Sequence, residues 1–481
     1  MKKIFILILF LAFQKQFAQN LVCFTTPQPA KPVGSSMKSW MVSNAKADFN
    51  NDGIDDIFSA TVNGIALLQS NGTGSFSSDT ILDIGLTTGA VLTGDFNNDG
   101  RADIAATVPD SNKVAIILGT GTGTILSVFV FSVGLLPCSL ASGDFNNDAK
   151  IDLAIANYSS NTVSIYKGVG NGTFTFLTNY NVGVNPSILI AGDFNNNGNL
   201  DLMVNSTNAS YILKGNGAGL FAVSTFSNLL ATNLITRDVT ADGNLDVLYT
   251  HLNDSLVYLA KGNGNYTFLP AISYSLSHTN GYHTLNGLYA DDFNNDGKMD
   301  FICASTDNST FISHECYLEI FNGQGSGNFT GPSSFSVSST GFQVPFGFIP
   351  VDANNDSKLD IVVALDNAGI IEILYNCNTV GVIENSEDKY GIALYPNPTS
   401  DIINISFDLE TEIKKVEIFN DFGQLIHQEI VIFKDNGTVI NTKELPNGVY
   451  HLTLRQAQGY NTVIATKQFV ISRYLNSDNS N

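Results

Sequence analysis

Apolar and polar positions alternate along most of this chain in short runs, and the third of its recurring segments shows the pattern most clearly. Residues 139–144 read as a strand entering a polar loop, and Leu-Ala-Ile-Ala-Asn at 153–157 as a second strand. Thr-Val-Ser-Ile-Tyr-Lys at 162–167 is a third, and a turn at 168–172 leads into a fourth at 173–180. Short runs of this kind bounded by Gly, Asn and Ser predict antiparallel hairpins. The order returns where 114–118 precede Gly-Thr-Gly-Thr-Gly and where 257–261 precede Gly-Asn-Gly-Asn. Four strands in each of seven successive segments predict an all-β fold, a seven-bladed β-propeller more readily than a sandwich.

One polar loop paces these strands. Asp-Phe-Asn-Asn-Asp-Gly at 48–53 recurs from Asp95, Asp144, Asp193, Asp238, Asp292 and Asp352, in steps of 47, 49, 49, 45, 54 and 60 residues. Each copy ends on a ninth-position acid: Asp56, Asp103, Asp152, Asp201, Asp246, Asp300 and Asp360. Position one is the first Asp of each copy, Asp48 in the first. Position three is Asn50, Asn97, Asn146, Asn195, Thr240, Asn294 and Asn354, and position five is Asp52, Asp99, Asp148, Asn197, Asp242, Asp296 and Asp356. Alternate residues of a curled loop point inward, so side-chain oxygens at one, three, five and nine can converge. The main-chain carbonyl at position seven (Ile54, Arg101, Lys150, Asn199, Asn244, Lys298, Lys358) adds a fifth donor. An oxygen-only set with Gly at the turn suits calcium better than magnesium, which keeps waters and strict octahedral geometry. The loop is not an EF-hand, because no Glu stands at position twelve and the flanks are strand-like. The plain alternative for a single copy is an Asn/Asp-Gly hairpin turn without metal; seven copies with acids at the same offsets favour up to seven calcium sites.

The copies differ. Asn197 leaves the fourth loop two carboxylates where the others have three, Thr240 replaces Asn in the fifth, and Ala149 and Ser357 replace the Gly. A left-handed backbone there would cost a non-Gly residue roughly 1 kcal/mol. The first, second and sixth loops rank strongest and the fourth weakest.

The formal net charge of −21 argues against nucleic acid and anionic membrane surfaces. Twenty loop carboxylates account for much of it, and seven divalent ions would bring the net to about −7. Residues 1–19 read as a signal peptide, with Lys2 and Lys3 before an apolar run at 4–13 and Ala18 near a cut; a buried first strand is the alternative. No stretch approaches 18 apolar residues, so no transmembrane span is expected.

Gly-Asp-Phe-Asn-Asn-Asp-Gly-Arg-Ala-Asp-Ile at 94–104, its copies, and Gly-Asn-Gly-x-x-x-Phe turns such as 262–268 resemble the FG-GAP/VCBS repeats of integrin α-subunit heads and some lectins. The resemblance covers about residues 20–378. It implies a seven-bladed propeller with calcium in the hairpin between the first two strands of each blade. The seventh blade lacks a fourth strand after residues 370–375, and 21–25 at the mature N-terminus could supply it and close the ring. Cys23 would then lie beside Cys377, and a disulfide there would lock a very long loop. Cys303 and Cys316 fall on two arms of one hairpin and form a second expected pair, which leaves Cys138 free.

Residues 379–391 read as a linker. Beyond it no Asp loop occurs, and six strand-like runs in about eighty residues suggest a small Ig-like β-sandwich. Leu-Tyr-Pro-Asn-Pro-Thr at 394–399, Val-Glu-Ile-Phe-Asn at 416–420, Leu-Pro-Asn-Gly-Val-Tyr at 445–450 and Lys-Gln-Phe-Val-Ile at 467–471 resemble the C-terminal sorting domain of the type IX secretion system of Bacteroidetes. Residues 392–473 are assigned to it, with a tail at 474–481. The resemblance implies export by the type IX machinery, with release at or attachment to the cell surface.

Enzyme motifs are absent from the sequence: no His-x-x-x-His, Gly-x-Ser-x-Gly or Gly-Lys-Ser/Thr element occurs. The densest reactive cluster is 277–283, where Tyr282 and His283 could abstract a proton in a polysaccharide lyase. Such an enzyme also needs cations for the uronate, and the chain has only four Arg. A non-catalytic binding or adhesion module is the better expectation, for glycan first, or for a matrix or partner protein. The face opposite the Asp loops would carry amide-rich loops at 110–112, 158–161, 205–208, 253–255 and 307–309. Trp40, Tyr158, Tyr180, Tyr282 and His283 are the candidate ligand contacts there, although packing between blades is the commoner role for any one of them.

Overall fold

The computed structural model describes residues 24, 31–32, 43–61, 64–74, 76, 80–227, 229–251, 254–277, 283–307, 315–337, 345–365 and 370–376. In the C-terminal region it describes residues 393–395, 402–406, 413–420, 425–430, 437–443, 445, 448–456 and 463–471. The chain divides into two compact units, Leu21–Asn378 and a second that contains Thr379–Asn481.

The first unit holds seven four-stranded antiparallel sheets, the blades of a propeller. Blade three runs Pro137–Gly143, Asp152–Asn157, Thr162–Gly168 and Phe174–Asn181, within two residues of the pattern-derived strands. The second strand of each of the first three blades is buried throughout, as in Asp56–Thr61 and Asp103–Val108. A neighbouring blade covers each of its faces, so beyond the leading Asp its sequence is a run of apolar and small residues rather than an alternation of apolar and polar ones. The fourth strand is the outer edge and is largely exposed, as in Ile125–Ser132.

Seven apolar clusters fill the seven seams. Phe49, Phe58, Ile65 and Leu67 of blade one meet Val91, Ile104 and Ile117 of blade two. The last cluster joins Ile57, Leu68 and Phe76 of blade one to Ile349, Val351, Val362 and Ile373 of blade seven, which closes the ring. The N-terminal segment closes the ring at blade seven, as expected, and its described pairing extends beyond residues 21–25. Lys31–Pro32 pairs with Ile371 and Ile370 as the fourth strand of blade seven, and Phe24 bridges Asn376 further along the same edge. Proline is tolerated at an edge because its missing N–H faces away from the ladder. Cys23 and Cys377 lie outside the described residues.

The expected Cys303–Cys316 pair is not formed. Cys303 is a buried free thiol opposite Glu319, whereas Cys316 stands opposite Thr306. The two cysteines sit on facing strands, but three residue pairs out of register.

In the second unit, Ala393–Tyr395, Ile402–Ser406 and Gly437–Asn441 form one sheet, and Leu425–Ile430, Ile413–Asn420, Gly448–Gln456 and Val463–Ile471 another. Ile403, Ile405, Val416, Ile418, Ile440 and Leu452 are among its buried side chains. The linker at 379–391, the segment 1–19 and the tail at 474–481 lie outside the described residues.

Candidate functional site

Each Asp loop joins the first two strands of its blade and folds on its own carboxylates. Asp48 at position one accepts the N–H of Asp52 at 3.1 Å on one oxygen and that of Gly53 at 2.8 Å on the other. Asp95, Asp144, Asp193, Asp238, Asp292 and Asp352 make the same two bonds. The position-five side chain accepts the N–H at position seven in all seven loops, as Asp99 does from Arg101 at 3.0 Å. Position three varies. Asn50, Asn97, Asn195, Asn294 and Asn354 accept the position-five N–H. Asn146 donates to Asp152 instead, and the Thr240 hydroxyl donates to Asp238.

Position six is left-handed throughout, including Ala149 (φ 61°) and Ser357 (φ 65°). Position four is left-handed too, at Asn51, Asn98, Asn147, Asn196, Ala241, Asn295 and Asn355. Sequence reading passed over this position, although Asn is the residue besides Gly that most readily adopts the conformation.

Position nine is a fastener. Asp103 is fully buried; it accepts the N–H of Phe96 at 2.9 Å and, across the sheet, that of Gly119 at 2.8 Å. The other six make the same pair of bonds, to the position-two N–H and to the end of the third strand. The third strand can end there because five of those ends are glycine: a Cβ on Gly168 would stand 2.1 Å from the Ile151 carbonyl. The position-two carbonyl then takes an N–H from the next blade: Gly123 to Phe49, Gly172 to Phe96, Gly219 to Phe145, Tyr266 to Phe194 and Gly74 to Ala353. Thus five of the seven loops are tied in this way both to their own sheet and to their neighbour. The Gly-rich turns of the sequence are the other half of that joint.

Burial, with the acids of positions five and one pressing on it, pushes Asp56 and Asp103 up to about 6 and Asp300 and Asp360 up to about 7. Asp152, Asp201 and Asp246 are raised chiefly by the same burial. Lys and Arg offset only the outer acids: Arg101 reaches Asp99 at 3.6 Å, Lys298 reaches Asp296 at 3.5 Å and Lys167 reaches Asp148 at 3.0 Å. Among the described residues no three acidic or histidine side chains meet as a ready-made cation cluster. The reason is visible in the loops, whose outer carboxylates turn onto their own N–H groups. The donor set still fits a hard cation, since it is all oxygen, most of its carboxylate oxygens accept one hydrogen bond and keep a second lone pair, and the buried acid lacks a neutralising charge.

On the opposite face the expected ligand amides are largely committed. Asn112 and Asn161 accept the N–H groups of Leu136 and Asn185 at 2.8 and 2.9 Å, and Asn208 accepts that of Val184 at 2.9 Å. These bonds pin the turns that join blade two to three and blade three to four. Asn205 is buried and donates to the Ala231 carbonyl. Tyr180 packs edge-on to Phe221 and accepts the Phe221 N–H, so it belongs to the seam between blades three and four. Tyr158 is half-buried in its loop. His283 begins the first strand of blade six, opposite Asp307, while Trp40 and Tyr282 lie outside the described residues.

Blades paced by Asp loops, and a separate C-terminal unit of two sheets, define a repeat propeller carrying an appended domain. Residues 48–106, 95–155, 144–204, 238–303 and 292–363 match the FG-GAP-like repeat, together more than half of the sequence, and the chain belongs to that family. Residues 393–472 match the secretion system C-terminal sorting domain. That domain marks the chain for type IX secretion to the extracellular or cell-surface compartment, and no helix among the described residues is long and apolar enough to cross a membrane. No curated protein matches the chain.

Among solved structures, BBS1N in complex with ARL6DN is similar at a TM-score of 0.50 and 11% identity, covering 74% of this chain and 98% of that one. A lectin of Agrocybe aegerita, described as recognising non-reducing terminal N-acetylglucosamine, is similar at 0.43 and 17% identity, covering 62% and 81%. The Dos1 propeller gives 0.45 and 11%, covering 73% and 95%.

Proposed function

We propose that this exported protein is a calcium-stabilised, non-catalytic binding or adhesion module, whose ligand is a glycan or a matrix or partner protein. The observation that carries the calcium reading is the buried ninth-position carboxylate, repeated seven times beside three further oxygen-bearing side chains and raised chiefly by burial. A divalent cation would supply the missing positive charge. It would be held in the first loop by Asp48, Asn50, Asp52, Asp56 and the Ile54 carbonyl, and by the matching residues elsewhere. Because the same carboxylate and its position-two neighbour fasten one blade to the next, an ion held there would stiffen the ring rather than take part in chemistry.

The binding reading rests on the export signal together with a scaffold whose Asp-loop rim is given over to structure. The sorting domain engages the type IX machinery, and the propeller remains as cargo. The test is a glycan array and a polysaccharide-turnover panel run on the full chain in excess calcium. Binding without turnover is expected. Turnover of any polysaccharide that His283→Ala abolishes would replace this reading with a lyase.

A further inference from the structure

The seam between blades four and five ends, on the face away from the Asp loops, in an aromatic and titratable group that the ring joint does not use. Tyr249 and Tyr258 stand opposite each other on the second and third strands of blade five, their rings stacked at 5.2 Å and 15°. His251 meets both edge-on, with ring centroids at 5.4 and 4.9 Å, and its Nδ1 lies 3.4 Å from the Leu230 carbonyl oxygen. The Tyr258 hydroxyl donates to Asp254 Oδ2 at 2.6 Å. Tyr249 is buried, Tyr258, His251 and Asp254 are half-buried, and Leu230 beside them is 47% exposed.

Across the fourth strand, the partner of Tyr258 is Ser273, which is exposed and small. The stack therefore ends at Tyr258, and no ring from the edge strand follows it. Packing the blade does not require such a group. The same register is Ser59 opposite Ala66 in blade one, Ala106 opposite Ala115 in blade two and Ile155 opposite Ser164 in blade three. Nor does the group suit proton abstraction, because the bond to Asp254 and partial burial push Tyr258 up to about 12 and keep it protonated.

We infer that this seam is a carbohydrate subsite, with Tyr258 as the platform for the apolar face of a pyranose and with Asp254 and His251 taking hydroxyls at its rim. An aromatic ring offers a flat apolar surface with a polar tip, the complement of a sugar ring with its axial C–H face and hydroxyl edge. The second oxygen of Asp254 and Nε2 of His251 supply the polar contacts. A carboxylate at the rim selects a neutral sugar over a uronate or sialylated one. This assignment rests on the binding-module reading and names its site.

The test is saturation-transfer NMR of the full chain in excess calcium with the methyl glycosides of glucose, galactose, mannose and N-acetylglucosamine. Saturation is expected on one face of at least one of the four sugars. Tyr258→Ala should weaken that sugar about tenfold, while Tyr258→Phe, which keeps the stack, should weaken it only a few-fold. Asp254→Ala and His251→Ala, at half-exposed positions, keep the test sound if Tyr258→Ala does not fold; each should lower affinity severalfold without moving the melting temperature. Equal binding by wild type and by folded variants would overturn the subsite and leave the module reading standing. Wild type that binds none of the four sugars would also overturn it, leaving a protein ligand as the remaining form of that reading.

Discussion

Asp56 in blade one and Asp300 in blade six end different Asp loops, yet both accept the same two backbone N–H groups. Three residues further along the same strands, toward the opposite face, the likeness is gone. Ser59 faces Ala66 in blade one, Tyr249 faces Tyr258 in blade five, and Cys303 faces Glu319 in blade six. The first region repeats because it solves a problem every seam shares, namely ending a loop, fixing a strand and docking the next blade. The second varies because packing asks little of it beyond volume. In a repeat protein the invariant positions report the scaffold and the divergent ones are where recognition can be built.

This contrast is broken most directly by removing one fastener. Asp103→Ala leaves the Phe96 and Gly119 N–H groups buried without acceptors, at a cost on the order of 4 kcal/mol. Denaturant unfolding measures it, and a loss under 1 kcal/mol would reduce position nine to a dispensable turn residue. A second effect depends on pH. In chelator the folded carboxylates at Asp56, Asp103, Asp300 and Asp360 take up protons at about 6 to 7, whereas an unfolded Asp does so near 3.9. Between those values the folded state holds more protons, so the metal-free protein gains stability as pH falls from about 7 to 5. Buried Glu372, raised by desolvation to about 7, adds to the same trend. With calcium bound the trend should reverse, since protons then compete with the ion. A chelated midpoint that drops over that interval would contradict the charge balance described for the loops.

Two smaller substitutions sharpen the comparison. Asn161→Ala on the opposite face should cost about 1.5 kcal/mol, because it removes the acceptor of the Asn185 N–H and a residue suited to φ 58°. It should leave ligand binding unchanged; an altered affinity would return that loop to the ligand face. Ala149→Gly and Ser357→Gly, at φ 61° and 65°, should each stabilise by about 1 kcal/mol. Unchanged or lower melting temperatures in both would remove the strain argument.

Much of this was legible in the sequence, because a strict spacing of acids paces seven units and each unit carries the same order of strand-like runs. What escaped are relations between residues far apart in the chain. Asp103 and Gly119 meet across a sheet, Phe49 and Gly123 across a seam, and Asn161 and Asn185 between two turns. Local pattern picked out the polar residues but assigned the amides to a ligand, when main-chain N–H groups in the turns between blades take up three of them. Phe24 of the expected closing segment does meet blade seven, but the pairing of Lys31–Pro32 was not legible because those residues have no strand-like pattern; only the edge of Ile370–Leu374 selects them. Ala393–Tyr395 was missed for a similar reason, as three residues cannot show a period. The stacked pair Tyr249 and Tyr258 was visible as Tyr-x-His before a polar turn, but its register needed the sheet.

Thermal unfolding of the full chain, in excess calcium and in chelator, tests the central claim most directly. An ion that binds only the folded ring raises its melting temperature in proportion to the logarithm of its concentration. The account predicts a large calcium-dependent rise in the propeller transition, with any separate transition of the C-terminal unit unmoved. Identical melting curves in calcium and chelator would contradict it, and the seven loops would then be hairpin turns held by their own hydrogen bonds alone.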